Sequence, residues 1–396
     1  VPDIGDFENV EIIEILVKQG DEIKKNGNLL RPIELKRNPD LNSKFPQEFY
    51  EEVASGGWLG MCMPEKFGGS NLGLREASLF MQTISESGGG MAAASSIHIN
   101  IFGPHPIVIH GTQKQKETWL PPLITGKEKT CFGVTEPDSG LDTGRLKTKA
   151  QKVQGGYIIN GQKIWTSTAK VANKILLLAR TTDQSKTKKP VDGLTLFYTN
   201  FDREKIEVRE IKKMGRGAVD SNQIFIDNLY VSDIDRIGEE GKGFKYLLDS
   251  LNPERILIAA EALGIGKNVL KRATEYAKER IVFDRPIGKN QSIQHPLAES
   301  WIELEAAELL VAKASYQYDN GQNAGGLANA AKYFAAEAAF KAATQAVVTL
   351  GGMGYAKEYH VERLLRESFI PKLAPVSSQM ILNYISEKIL GLPKSY

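Results

Sequence analysis

Apolar and polar positions divide the first third of the chain into two kinds of segment. Residues 1–30 contain the β-branched run VEIIEILV, which predicts two short strands joined by a turn at Lys18–Asp21. From Phe45 to about Lys129, apolar residues recur three and four positions apart, as in LREASLFMQTISESGGG, and this spacing predicts helices. We therefore expect a strand pair followed by a helical unit.

The middle of the chain changes to a strand pattern. Between residues 130 and 235, short β-branched or aromatic runs such as KILLLARTT and GLTLFYTN alternate with turn pairs, including Gly155-Gly156 and Asn160-Gly161. This alternation predicts a mainly antiparallel β unit.

Beyond Gly243 the pattern is helical again. Three long alanine-rich segments cover 253–280, 296–320 and 327–350, and the last ends at Gly351-Gly352, as helices often do. The order helical, β, helical predicts an α+β fold. We expect units at 31–129, 130–235 and 236–396 behind a separate segment at 1–30.

Composition excludes several classes of partner. The 50 Lys and Arg nearly balance the 48 Asp and Glu, which does not favour a nucleic-acid or membrane partner. Cys62 and Cys131 are far apart and form no CxxC pair, so a reducing compartment is expected. The five histidines show no close ligand spacing, and we expect no metal site.

Two segments of the β unit carry groups that suit a flat heteroaromatic ligand. In VTEPDSG, Thr135 and Ser139 offer hydroxyls on a turn, although an ordinary strand-end turn has the same residues. At Trp165 a large aromatic face is followed directly by Thr166 and Ser167, although a core tryptophan at a strand end would have the same pattern.

A third segment, NPERILIAAEALGIG, offers a carboxylate. Asn252 and Pro253 fit the N-cap and first position of a helix, which would make Glu254 only a favourable first-turn acid. Alternatively, burial at this place would raise the pKa of Glu254, as a base acting near neutral pH requires. Glu261 lies on nearly the same helix face and is the rival candidate.

A fourth segment, ERIVFDRPIGKNQ, carries two cations. Arg280 and Arg285 flank Phe283, which fits either a solvated helix end or an anion site. The residues alone do not decide between the two.

Taken in order, these motifs resemble the acyl-CoA dehydrogenase family over about residues 45–396. That family has V-T-E-P, then W-x-T/S, then R-x-x-F-x-x-P-I-x-x-x-Q, then G-G-x-G-Y at similar intervals. The matching residues here are Val134–Pro137, Trp165–Ser167, Arg280–Gln291 and Gly351–Tyr355. The resemblance implies an N-terminal helical domain, a middle β domain and a C-terminal four-helix bundle.

The resemblance also implies FAD, an acyl-CoA substrate, an electron-transfer flavoprotein as partner, and a homo-oligomer, usually a tetramer. The compartment would be the cytoplasm in a bacterium or the mitochondrial matrix in a eukaryote. The substrate would lie near Leu141, Asn252 and Arg255. The cofactor-binding residues would be Phe132, Val134, Thr135, Trp165, Ser167, Arg280, Phe283, Gln291, Gly351, Gly352, Ser377 and Gln379.

The base is expected at Glu254. Most members of the family place a glutamate in a late E-G-T segment, but here Pro375 stands at that position. The isovaleryl and long-chain types place it one residue before a helix arginine, and here Glu254 precedes Arg255. Pro375 also lacks the N–H that would bind the thioester oxygen in the family, so a neighbour such as Val376 would have to supply one.

Some residues depart from the family pattern. Val348 stands where many members have glutamine, and Leu141 where a serine is common. Residues 1–30 are similar instead to the start of a lipoyl domain, but no D-K-A hairpin follows, so no lipoylation is expected.

Two alternatives to the dehydrogenase remain. One is a non-catalytic scaffold of the same fold, and the other is a related flavin enzyme that acts differently on a thioester or amine.

Overall fold

The computed structural model describes residues 11–15, 30–34 and 44–395. Strands β1 (Glu11–Ile15) and β2 (Leu30–Glu34) form an antiparallel pair in which Glu11 lies opposite Glu34. Two strands are present as predicted, but the second begins at residue 30 rather than before it. The predicted turn at Lys18–Asp21 lies outside the described residues.

The helical unit predicted after Phe45 is confirmed. A kink with a left-handed glycine, Gly88 (φ 105°), separates its second and third helices. Its helices are α1 (Gln47–Ser55), α2 (Leu74–Ile84), α3 (Gly90–Phe102), α4 (His105–His110) and α5 (Gln113–Ile124).

The middle of the chain forms one eight-stranded sheet. Its order is β10-β7-β6-β4-β5-β9-β8, with β3 also pairing with β6, and all pairs are antiparallel except β3 with β6 and β4 with β6. The strands are β3 (Thr130–Gly133), β4 (Lys149–Val153), β5 (Gly156–Ser167), β6 (Lys174–Arg180), β7 (Leu194–Asn200), β8 (Ile206–Glu210), β9 (Ser221–Ser232) and β10 (Arg236–Ile237).

Both faces of strand β6 are buried. Successive side chains of a strand point to opposite faces. Ile175 and Leu177 enter a core formed by the sheet itself, whereas Leu176 and Leu178 enter a second core shared with α5. One face of the sheet is therefore covered by the N-terminal helices.

The C-terminal unit consists of three long helices and several short ones. The long helices are α6 (Gly243–Glu279), α7 (Gln291–Asp319) and α8 (Gly325–Leu350). A small hairpin, β11 (Ile281–Val282) and β12 (Arg285–Pro286), connects α6 to α7. The short helices pack on α8: α9 (Gly352–Tyr355), α10 (Val361–Glu367), α11 (Phe369–Leu373) and α12 (Ser378–Tyr384).

Both helical units share one core, although the sheet separates them in sequence. That core runs from Phe49 in α1 through α6 to Leu364 in α10. The α+β class predicted from the order of segments is confirmed. Among the described residues, no helix combines the length and apolar character needed to cross a membrane.

The prediction that a helix begins at Pro253 is wrong. Helix α6 begins ten residues earlier, at Gly243, and Pro253 lies inside it. Tyr246 and Leu247 are buried in the core that joins α6 to the sheet, and this packing extends the helix across the proline. Asn252 is therefore not an N-cap, and Glu254 is not a first-turn acid.

Candidate active site

Glu254 lies about a third of the way along α6. The residue is half-buried, and burial is the largest cause that raises the pKa of its carboxyl group, to about 7. The charges of His98, Arg255 and Lys332 act against this rise, while Glu261 adds to it. Near neutral pH this carboxylate can therefore both accept and release a proton.

Glu261, the rival candidate, is enclosed and paired. Its side chain is 0% exposed, and His98 Nδ1 lies 3.0 Å and 3.2 Å from its two carboxylate oxygens. Its backbone carbonyl accepts a hydrogen bond from Ser85 Oγ at 2.7 Å. Because both oxygens face a buried histidine, Glu261 stabilises the junction of α3 and α6 and is not placed to meet a substrate.

Two cations lie beside Glu254. Arg255 donates through Nη1 to Asn252 Oδ1 at 3.1 Å, so the predicted substrate residues Asn252 and Arg255 are in contact. Lys332 of α8 is fully buried, and its Nζ donates to the Val376 carbonyl at 2.5 Å. Burial and the charge of Arg255 lower the pKa of Lys332 to about 8, although Glu337 and Glu254 act in the opposite direction.

Lys332 thus holds the late segment that contains Pro375. The Ala374–Pro375 peptide is cis, and none of the described residues accepts a hydrogen bond from the Val376 N–H. Ser377 caps α12, since its Oγ accepts from the Met380 N–H at 3.4 Å, and Gln379 is exposed. The Val376 N–H is consequently available as a donor near the position where proline removes one.

The two segments predicted to face a flat ring lie side by side in the sheet. The Ile164 N–H donates to the Thr135 carbonyl at 2.9 Å, and this bond joins the Val134–Thr135 turn to the end of β5. Trp165 is 57% exposed, so its interpretation as a core tryptophan is wrong. Phe132, Val134, Thr135 and Ser167 are all partly accessible on the same edge of the β unit.

A buried ion pair that sequence reasoning missed fixes this edge. Lys163 Nζ lies 2.9 Å from Glu136 Oε1 and 3.1 Å from the Val134 carbonyl, with side-chain exposures of 0% and 4% for the pair. Glu136 also accepts from the backbone N–H groups of Lys147 and Thr148, at 2.6 Å and 2.9 Å. Burial alone would raise the pKa of Glu136, but Lys163 and these hydrogen bonds lower it on balance.

Arg216 is a second residue that sequence reasoning missed. It reaches from the loop after β8 and donates through Nη2 to Ser167 Oγ at 3.0 Å. The sequence around it, KMGRGAVDS, gives no periodic signal that would mark a buried arginine.

The other predicted cofactor residues form a separate set, far from Glu254. Arg280 ends α6 at about 39 Å from Glu254, at 1.5 Å per residue. The interpretation of this segment as a helix end alone is incomplete, because Phe283 and Asp284 form a hairpin turn with φ of 52° and 58°. Phe283 at its tip is 93% exposed. Gln291 is the first residue of α7.

Gly351 and Gly352 leave open space at the end of α8. A Cβ atom built at either glycine would meet no atom within 4 Å. Val348, one turn earlier, is 65% exposed. Leu141 is also exposed, at 54%, on the loop before β4. All four positions therefore lie on the surface of the chain.

The fold and this arrangement of groups define a three-domain oxidoreductase of the acyl-CoA dehydrogenase class. The acyl-CoA dehydrogenase N-terminal, middle and C-terminal domain models match residues 30–127, 131–229 and 241–390. The chain belongs to the acyl-CoA dehydrogenase family, and the resemblance stated from its motifs is confirmed.

Individual relatives agree with this assignment. The chain is 35% identical to acyl-CoA dehydrogenase FadE12 of Mycobacterium tuberculosis, over 88% of this chain and 89% of the relative. It is 32% identical to the caffeyl-CoA reductase–Etf complex subunit CarC of Acetobacterium woodii, over 88% and 91%. The solved butyryl-CoA dehydrogenase of Megasphaera elsdenii superimposes with a TM-score of 0.84 at 31% identity, over 89% and 92%.

Proposed function

We propose that this acyl-CoA dehydrogenase removes hydrogen from the α and β carbons of an acyl-CoA thioester, with Glu254 as the base and FAD as the cofactor. The observation that carries the proposal is the half-buried Glu254, whose pKa is raised to about 7 while its rival Glu261 is bound to His98. A base with this pKa is matched to work at neutral pH.

The residues of the β unit fit FAD. Trp165 leaves more than half of its surface open beside the Ser167 hydroxyl, which suits stacking and hydrogen bonding to a flavin ring. Outside the β unit, the open backbone at Gly351-Gly352, after α8, would let a dinucleotide approach closely. When bound, FAD supplies the acceptor for the hydride that leaves the β carbon.

The protein's own groups then handle the proton and the thioester. Glu254 accepts the α proton, and Arg255 and Lys332 keep part of its carboxylate ionised at neutral pH by lowering its pKa against burial. The Val376 N–H supplies a hydrogen bond to the thioester oxygen, in a segment that Lys332 fixes through the Val376 carbonyl. One such donor is worth about 3 kcal/mol in the transition state.

We further propose that the predicted cofactor residues outside the β unit bind the FAD of a neighbouring subunit. Arg280 lies about 39 Å from Glu254, too far to share a flavin with it in one protomer, and Phe283 and Gln291 follow it in the chain. Gly351 and Gly352 are exposed at the end of α8. Helix α7 also exposes Ile302, Leu309 and Tyr316, at intervals of seven residues, a pattern typical of helix association. These features support a homotetramer, and the family supports an electron-transfer flavoprotein as the electron acceptor.

The test replaces the base and a matched acid. Glu254→Gln should retain FAD but slow flavin bleaching by acyl-CoA about 10²–10⁴-fold. Glu279→Gln, at an exposed acid on the same helix, should bleach at the wild-type rate. A fully active Glu254→Gln variant would refute the assignment, and wild-type protein that cannot bind FAD would support the non-catalytic scaffold instead.

A further inference from the structure

Arg216 is a buried arginine directly behind the proposed flavin contact Ser167. The residue is 9% exposed and adopts a left-handed backbone conformation with φ of 58°. Its Nη2 donates to Ser167 Oγ at 3.0 Å and to Ser221 Oγ at 2.7 Å, and its Nη1 donates to Ser95 Oγ at 3.2 Å. Hydroxyls from α3, β5 and β9 thus hold one guanidinium in place.

Among the residues that the structure describes, no carboxylate contacts the Arg216 guanidinium directly. Its three hydrogen-bond acceptors are neutral hydroxyls, and its Nε has no partner among the described residues. Burial lowers the pKa of the guanidinium, while the more distant Glu367, Asp220 and Glu261 act to raise it. An arginine nevertheless stays protonated at neutral pH, because its ordinary pKa is above 12.

The hydrogen bond to Ser167 fixes how that hydroxyl can act. A serine hydroxyl has one hydrogen to donate and lone pairs that accept. Because Ser167 Oγ accepts from Arg216, its own hydrogen remains free for another acceptor. Trp165, two residues earlier on the same strand, is 57% exposed.

We propose that Arg216 is a positioning residue that orients the Ser167 hydroxyl toward the flavin ring and makes flavin reduction more favourable. This inference rests on the proposed function, since it requires FAD beside Trp165. Hydride transfer brings one negative charge to this site. A fixed cation directly behind the Ser167 hydroxyl, in surroundings of low dielectric, stabilises that charge more than water would.

The test measures the flavin reduction potential of the purified holoenzyme by equilibration with a reference dye. Arg216→Met removes the charge and the hydrogen bonds, and should disfavour reduction at least tenfold, about 30 mV for a two-electron couple. Arg216→Lys keeps the charge and should stay within about threefold of the wild type. Arg209→Met, an exposed arginine of the same sheet, should leave the potential unchanged.

A double-substitution cycle tests whether Arg216 acts through Ser167. If it does, Ser167→Ala and Arg216→Met combined should lower the potential by less than the sum of the single effects. If Arg216→Met does not fold, Arg216→Gln makes the same comparison without charge.

The inference is overturned if an uncharged variant with full FAD content keeps the wild-type reduction potential. It is also overturned if Arg216→Lys lowers the reduction potential as much as Arg216→Met does. Wild-type protein that binds no FAD would instead remove the proposed function itself.

Discussion

Glu254 and Glu261 lie seven residues apart on one face of α6, but only Glu261 is bound by a buried histidine. His98 contacts both oxygens of Glu261, whereas it affects Glu254 only through its charge. The two acids therefore have different tasks, although they are almost equivalent in sequence. Glu261 stabilises the packing of α3 on α6, and Glu254 keeps a carboxylate available for chemistry.

The two acids should respond differently to the same substitution. Glu261→Gln removes the carboxylate that His98 Nδ1 contacts inside the protein, so we expect a lower melting temperature with flavin bleaching retained at permissive temperature. Glu254→Gln should show the opposite combination. Thermal unfolding and anaerobic titration with acyl-CoA, carried out on both variants, check this. Loss of bleaching in a well-folded Glu261→Gln protein would contradict it.

The pH dependence of the reaction should report the pKa of Glu254. The base acts when deprotonated, so kcat/KM should rise about tenfold per pH unit below pH 7 and level off above it. Initial rates with a limiting acyl-CoA between pH 5.5 and 8.5 measure the profile. A kcat/KM that stays level over this whole range, as expected for a glutamate with its ordinary pKa of 4.5, would show that burial does not shift the pKa of Glu254.

The same pKa makes a prediction about stability. Because the pKa of Glu254 is raised from 4.5 to about 7 on folding, its ionised form destabilises the folded state. The resulting loss in the free energy of unfolding is absent well below pH 4.5. It is complete above pH 7, where it reaches at most ~3 kcal/mol. Glu254→Gln should therefore raise the melting temperature more at pH 8 than at pH 5. An equal effect at both pH values would argue against the raised pKa.

The Lys163–Glu136 pair should be essential for the edge of the β unit. Removing one partner leaves a buried charge without compensation, which costs about 3–5 kcal/mol. We expect Lys163→Met to lower both the melting temperature and the FAD content, since Lys163 also holds the Val134 carbonyl. The double variant Lys163→Met with Glu136→Gln should recover part of the stability. A single variant as stable as the wild type would contradict the prediction.

Gly352 allows a test of the neighbouring-subunit site without damage to the chain's own fold. A Cβ at residue 352 meets nothing within 4 Å, and Gly352 is not among the glycines with positive φ. Gly352→Ala should therefore leave the melting temperature of the FAD-free protein unchanged. It should lower FAD affinity if a dinucleotide approaches this backbone, as absorbance titration with FAD can measure. Unchanged affinity would place the dinucleotide elsewhere.

Sequence patterns predicted the order of the units because periodicity is a local property. They placed the start of α6 wrongly, since Asn252-Pro253 has the residues of a helix start and the packing of Tyr246 and Leu247 overrides that signal. This error does not affect the choice of Glu254 as the candidate base. That choice depended on the neighbouring residues in the sequence, and the pKa of Glu254 depends on its burial and not on where the helix begins.

The polar contacts behind the site could not be predicted in the same way. Lys163 and Glu136 are 27 residues apart, and Arg216 reaches a serine 49 residues earlier. Such pairs depend on which segments the sheet and the helices bring together. Lys332 illustrates the point, because an alanine-rich helix with two lysines, Lys332 and Lys341, gives no sign that the ammonium group of the first lies inside the protein.

Helix α6 has a consequence that reaches beyond either site. It carries the proposed base in its interior and ends at Arg280, whose proposed ligand belongs to a neighbouring subunit. In the proposed tetramer, one α6 would therefore contribute to two flavin sites, its own through Glu254 and a neighbour's through Arg280. A substitution that tilts this helix should then affect both sites together.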